Sequence, residues 1–112
     1  MAAMVVSNVP GQTKVTVAGT AVAASDTLTQ SDLGDRGVLL QVINGGGGSI
    51  NVTISDPNTT AVGNVGTTTA QAVANGTDGW FRILPAHVNP VSGLATVAYS
   101  GTTTVTYKAF RA

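Results

Sequence analysis

Cysteine is absent from this chain of 112 residues, so neither a disulfide nor a thiolate-bound metal holds its fold, and the redox compartment is left open. Glutamate is absent too, and all five acidic residues are aspartates. With five basic residues against them the formal net charge is zero, and charged side chains make up only 9% of the chain. The charged residues that solvate long helices are therefore scarce. What fills their place is Thr, Val, Gly, Ala and Ser, a mixture that favours pleated strands and turns, because β-branched side chains are less restricted there than on a helix. The basic residues Lys14, Arg36, Arg82, Lys108 and Arg111 are scattered along the chain. Nucleic-acid binding needs clustered cations to displace condensed counterions, so no nucleic-acid partner is expected. Near-neutrality suits close packing of many identical copies, since net charge would add repulsion between neighbours.

No long apolar run occurs, so no membrane partner is expected. The first ten residues carry no basic side chain and no stretch resembling a signal peptide, which leads to the expectation of a protein made in the cytoplasm without export. On that expectation the Asn-x-Thr sequons at Asn51, Asn58 and Asn75 are accidents of a Thr-rich chain. The length fits one domain with one core, burying roughly two thirds of the surface of the unfolded chain.

Apolar alternation then locates the elements. Lys14–Ala23 starts with Val15 and Val17 on one side of Thr16, which predicts a first strand. Residues 25–37 hold three aspartates and two glycines and read as a loop with at most one helical turn near Leu33. Arg36–Asn44 is almost continuously apolar and predicts a central strand covered on both faces. Ile50, Val52 and Ile54 alternate with Asn51, Thr53 and Ser55, the cleanest period of two in the chain. Gly45–Gly48 between these strands predicts a β-hairpin.

Farther on, residues 56–66 are turn-rich, with room for an edge strand. Residues 67–74 predict a short strand ended by the Asn75-Gly76 turn. Gly79–Leu84 predicts a firmer strand, supplying Trp80, Phe81, Ile83 and Leu84 to the core. Pro85–Gly93 predicts a loop with a single helical turn. Leu94–Ser100 and Thr103–Ala109 predict a closing hairpin in which Val97 and Tyr99 face Val105 and Tyr107, with Thr96, Thr104, Thr106 and Lys108 on an outer face. The fold class that follows is all-β: an antiparallel β-sandwich or barrel of about seven to eight short strands, with turns about every ten residues. Residues 1–13 form an extended N-terminal arm and residues 14–112 a single β-domain.

Candidates for chemistry are few. His87, the sole histidine, has no cysteine or glutamate to join it and reads as a solvent or subunit contact. Asp32 and Asp35 lie beside Arg36, where aspartates cap backbone amides and pair with arginine; a calcium site would add Asp26 or Asp56, but no loop with the required ligand spacing is visible. The Asn44–Ser49 run, NGGGGS, lacks the Gly-Lys-Ser/Thr ending and the following helix of a phosphate-binding loop. Trp80 and Tyr99 could make a sugar-stacking platform if both were exposed, although a chain with one tryptophan, two tyrosines and two phenylalanines needs most of them inside. No catalytic residue, metal ligand or cofactor is predicted. The subunit-contact residues expected from sequence are Met4, Val5, Val6 and Val9 on the apolar arm, with Trp80 if it is exposed.

Three segments carry a resemblance to a known group: GDRGVLLQVINGGGGSINVTI, NGTDGWFRILPAHVNP and VAYSGTTTVTYKAFRA. Taken in order, from about Leu28 to Ala112, the chain resembles small virion proteins of actinobacterial tailed phages, the capsid decoration or cement proteins. These motifs are patterns of strand and turn, not of reactive residues. The resemblance implies a structural protein on the outer surface of the phage head, bound to the major capsid protein, bridging capsomers, and forming a homo-oligomer, a trimer. A head-to-tail connector or tail protein is the related alternative, and a carbohydrate-binding β-sandwich module the alternative from a different class.

Overall fold

The computed structural model describes residues 2–9, 11–12, 14–56, 61–62 and 69–112. Two faces of alternating side chains decide the architecture. Val38, Leu40, Val42 and Asn44 are buried along a strand of one sheet, and Ala95, Val97 and Tyr99 along a strand of the other, with half-buried residues between them. Chains of that pattern bury one face only, and here two sheets stack to bury both inner faces.

Ten strands occur among the described residues. They are β1 (Ala2–Ala3), β2 (Val6–Ser7), β3 (Thr20–Ala21), β4 (Ser25–Thr29), β5 (Val38–Asn44), β6 (Ile50–Ile54), β7 (Gln71–Val73), β8 (Asp78–Ile83), β9 (Leu94–Tyr99) and β10 (Val105–Arg111). One helical turn, α1 (Gln30–Leu33), follows β4, and a 3-10 turn, Pro85–His87, follows β8. The first sheet runs β1-β4-β9-β6-β7; the second runs β2-β10-β5-β8, with β3 also on β10. Both sheets are mixed, because β1 and β2 pair in parallel with β4 and β10, while all other pairs are antiparallel. The all-β sandwich expected from the sequence is what forms, with a few more strands.

The core between the sheets includes Leu28, Leu33, Val38, Leu40, Val42, Val52, Ile83, Val97, Val105 and Tyr107. Met4 belongs to it as well, at 5% exposure. The N-terminal segment thus crosses from one sheet to the other with its methionine in the interior.

Both predicted hairpins are corrected by this topology. β5 and β6 lie in different sheets, and so do β9 and β10. Gly45–Gly48 and the Ser100–Thr104 link are sheet-to-sheet crossings, lying against each other at one end of the sandwich. Gly45 N–H donates to Thr104 O at 3.1 Å. A Cβ on Gly46 would stand 2.3 Å from the Thr103 carbonyl oxygen, so the approach of the two links demands glycine there. Five-residue links are long enough to climb the roughly 10 Å between stacked sheets. The inward and outward assignments survive the correction: Val97, Tyr99, Val105 and Tyr107 do face the core, but from opposite sheets.

Asn44 organises the first crossing. Its side chain, 1% exposed, donates from Nδ2 to Gly48 O at 2.7 Å and to Val73 O at 2.9 Å, while Oδ1 accepts from Gly46 N–H at 3.1 Å. One amide therefore fixes the glycine link and fastens β5 to β7 of the opposite sheet.

Four further expectations are corrected. The Lys14–Ala23 strand is reduced to Thr20–Ala21, because Val15 is 40% exposed and has no core to face. Ser25–Thr29 is a strand inside the first sheet, with Asp26, Thr27 and Leu28 all buried, so tertiary context overrides the loop-forming bias of aspartate. The helical turn at Leu33 is present, capped by Thr29. β5 is central as expected, but its outer residues Leu39, Gln41 and Ile43 are half-buried instead of covered. Trp80 points outward at 54% exposure and Leu84 is 42% exposed, so of the predicted core residues of β8 only Ile83 is fully inside. The expected edge strand in residues 56–66, and the start of the 67–74 strand, lie largely outside the described residues; the rest of the latter is β7.

Candidate functional site

The outer face of the second sheet carries three strands whose registers form a grid. Phe110, Leu39 and Arg82 make one row across β10, β5 and β8; Lys108, Gln41 and Trp80 make the next; Thr106, Ile43 and Asp78 make the third. Residues directly paired across antiparallel strands point the same way, so all nine side chains share this face. Trp80 stands out at 54% exposure. Half-buried Leu39 and Ile43 lie diagonal to it on β5, and half-buried Phe110 lies one strand farther away on β10.

Local sequence explains why tryptophan faces out. Ile83, Phe81 and Gly79 take the inner positions of β8, opposite Val38, Leu40 and Val42. Gly79 leaves room inside: a Cβ there would meet Val73 Cγ2 at 3.0 Å and Phe81 Cε2 at 3.1 Å. Phe81 and Trp80 are adjacent, and the pleat sends them to opposite faces.

Polar groups run through this face, with Gln41 at its middle position between Lys108 and Trp80. Gln41 Nε2 donates to Asp78 Oδ2. Arg82 Nη1 donates to the Arg36 carbonyl at 3.4 Å. Arg82 and Lys108, distant in sequence, are brought to one face, where Asp78 is the acid among the nine described positions. An exposed indole with half-buried aliphatic side chains diagonal to it and two cations on the same face has the mixed composition of an adhesive contact.

The residues singled out from sequence fall in different places. Met4 is inside the core, Val6 is half-buried, and Val5 and Val9 are exposed at 63% and 56%. Trp80 is on the opposite edge strand of the same sheet as Val6. Trp80 and Tyr99 are not brought together: Tyr99 is 7% exposed on the inner face of β9. Val62 and Val91 are also exposed, at 83% and 95%.

His87 accepts the Leu84 N–H on Nδ1 at 2.9 Å and so closes the 3-10 turn. Asp32 accepts from Thr29 N–H at 3.2 Å in a reciprocal cap of α1. Asp26 is buried, and no group of three or more His, Cys, Asp or Glu side chains meets among the described residues. The glycine link is tied down as well, for Gly47 N–H donates to Asn75 Oδ1 at 2.9 Å.

Two buried groups inside the fold, Asp26 and Tyr99, have pKa values displaced from their ordinary ranges. Burial raises the Asp26 pKa above the ordinary carboxylate range, while the Ala23 backbone and the nearby Tyr99 hydroxyl oppose that rise. Neither Asp26 Oδ2 nor Tyr99 Oη reaches a hydrogen bond of good geometry. Burial, followed by the neighbouring Asp26 charge, pushes the Tyr99 phenol upward.

Sequence reasoning found Trp80 but missed its surroundings. Leu39, Gln41, Ile43, Lys108, Phe110 and Arg82 are visible as outward positions of a period of two only once β5 is known to pair with both β8 and β10. The chain matches no protein-family model, no curated protein and no solved structure.

Proposed function

We propose that this chain is a structural protein of a tailed-phage virion, a capsid decoration protein that adheres to the outer shell and bridges capsomers. One observation carries the adhesive role: the outer sheet face with exposed Trp80 on its edge strand β8, half-buried Leu39 and Ile43 on β5 and Phe110 on β10, and Gln41, Arg82 and Lys108 interspersed among them. The resemblance of residues 28–112 to phage decoration proteins supports the choice of partner, the major capsid protein. It also supports a trimer as the oligomer.

A contact of this kind needs only modest area, because closed symmetry repeats it many times over the particle. Binding to the assembled shell, and not to free subunits, displaces the equilibrium toward the shell by mass action. Replacing Trp80 removes the largest exposed apolar side chain of the face. Its stability effect is small, within about 0.5 kcal/mol, since the side chain is outside the core.

Occupancy of Trp80→Ala on purified particles tests the role, with circular dichroism to verify the fold. A folded variant that loses occupancy is expected; full occupancy refutes Trp80 as the contact. A position at the head-to-tail junction would give about an order of magnitude fewer copies per particle than the shell, which gel densitometry separates.

The exposed indole beside the Gln41–Asp78 pair also favours a second reading, a sugar-stacking module. Glycan-array binding by the wild type that vanishes in Trp80→Ala would move the function there.

A further inference from the structure

The segment Ala2–Ser7 takes part in both sheets, with β1 on the edge of the first and β2 on the edge of the second. Ala2 and Ala3 register against Asp26 and Thr27; Val6 and Ser7 register against Ala109 and Phe110. Between these ladders Met4 enters the core at 5% exposure. Met4 N–H donates to Thr27 O at 2.8 Å, and Val5 N–H donates to Tyr107 Oη at 2.9 Å. The seat of this segment is thus a cleft for an extended hexapeptide, with backbone hydrogen bonds on both walls and a methionine socket between them.

The connection to the rest of the chain is long for the gap it closes. Ser7 and Thr20 register against Phe110 and Tyr107, three positions apart on β10, a separation of roughly 10 Å. The twelve residues between them can extend to about 40 Å. Their described members are exposed except for half-buried Val17, and none is in a strand or helix.

The geometry points to exchange of this segment between copies: Ala2–Ser7 of one chain fills the cleft between β4 and β10 of a second chain. Every contact is the same in the closed and the exchanged form, so local concentration decides between them. A link of twelve residues holds the chain's own segment at an effective concentration on the order of millimolar. Copies crowded to a comparable density exchange, and dilute copies close on themselves. This goes beyond the proposed virion role, because it concerns contacts between copies of this chain and its test involves no particle.

The absence of cysteine makes the test direct. Ser7 and Phe110 are register partners and both are half-buried, within reach of an added disulfide. Ser7→Cys is made in isotopically light chain and Phe110→Cys in heavy chain. The two are mixed at about 1 mM and at about 10 μM, oxidised, digested and read by mass spectrometry. Peptides joining position 7 of the light chain to position 110 of the heavy chain are expected at the higher concentration, falling at least about tenfold at the lower. The double variant Ser7→Cys with Phe110→Cys, at the lower concentration, is expected to link within one chain. If the double variant links within itself while the mixture gives no 7–110 link, or only 7–7 and 110–110 links, exchange is overturned. A double variant that forms no 7–110 link of either kind overturns the register, and exchange with it.

Discussion

Replacing Asn44 by alanine removes the side chain that holds the first sheet-to-sheet crossing. Three hydrogen bonds disappear: those to Gly48 O at 2.7 Å and Val73 O at 2.9 Å, and that from Gly46 N–H at 3.1 Å. At about 1 kcal/mol net each, the loss is about 3 kcal/mol. Leaving the Val73 carbonyl without its amide partner adds to this cost, and water entering the space offsets part of it. For a domain of this size 3 kcal/mol is a shift of roughly 15 °C in Tm, and a large share of a total stability of about 5–15 kcal/mol. Asn44→Asp keeps the shape but sets a carboxylate against two carbonyl oxygens. It costs more than alanine at neutral pH and recovers in acid, where a protonated carboxyl can donate one bond again. Urea unfolding followed by circular dichroism measures both, with an unchanged m-value verifying that the compactness of the end states is the same. An Asn44→Ala loss below about 1 kcal/mol would refute the idea that this amide fastens the crossing.

Two other perturbations follow from the interior. Burial raises the Asp26 pKa in the folded chain, so the folded state holds its proton more tightly than the unfolded one. The stability contributed by that proton is full below the unfolded carboxylate value near 3.9 and is lost as pH rises through the raised folded value. Asp26→Asn should therefore be more stable than wild type at pH 7 and lack this part of the pH dependence; parallel curves from acid to neutral pH would contradict it. Gly46→Ala forces a methyl toward the Thr103 carbonyl, 2.3 Å away, and should cost about 1–3 kcal/mol in denaturant titration, whereas an unchanged midpoint would show that the two links have room to part.

How far the sequence could be read depended on what each signal reports. The period of two at Ile50–Ile54, and again through Leu94–Tyr99 and Val105–Arg111, reports which side chains face the core, and those faces are as expected. The same signal is silent about partners. A strand whose residues face inward looks identical whether its neighbour in sequence lies beside it or across the core, and so both hairpins were misassigned. The clue for the first crossing is Asn44, a polar residue at an inward position, whose amide is satisfied by the glycine link and by the Val73 carbonyl of the other sheet. Ser25–Thr29 escaped notice because Asp26 is buried there by long-range packing, against its local preference. Trp80 was assigned to the core on scarcity of aromatics, yet the pleat sends it outward once Phe81 and Ile83 are inside. The grid around it joins residues 39–43, 78–82 and 106–110, and only the paired registers of β5 bring those segments together.

Cryo-electron microscopy of particles assembled from the genome that encodes this chain bears most directly on the virion role. Density for the β-sandwich is expected on the outer shell, repeated at local symmetry axes, with the β10-β5-β8 face and Trp80 against the capsid surface. Particles that carry no such density, with the chain missing from their mass spectrum, would contradict it.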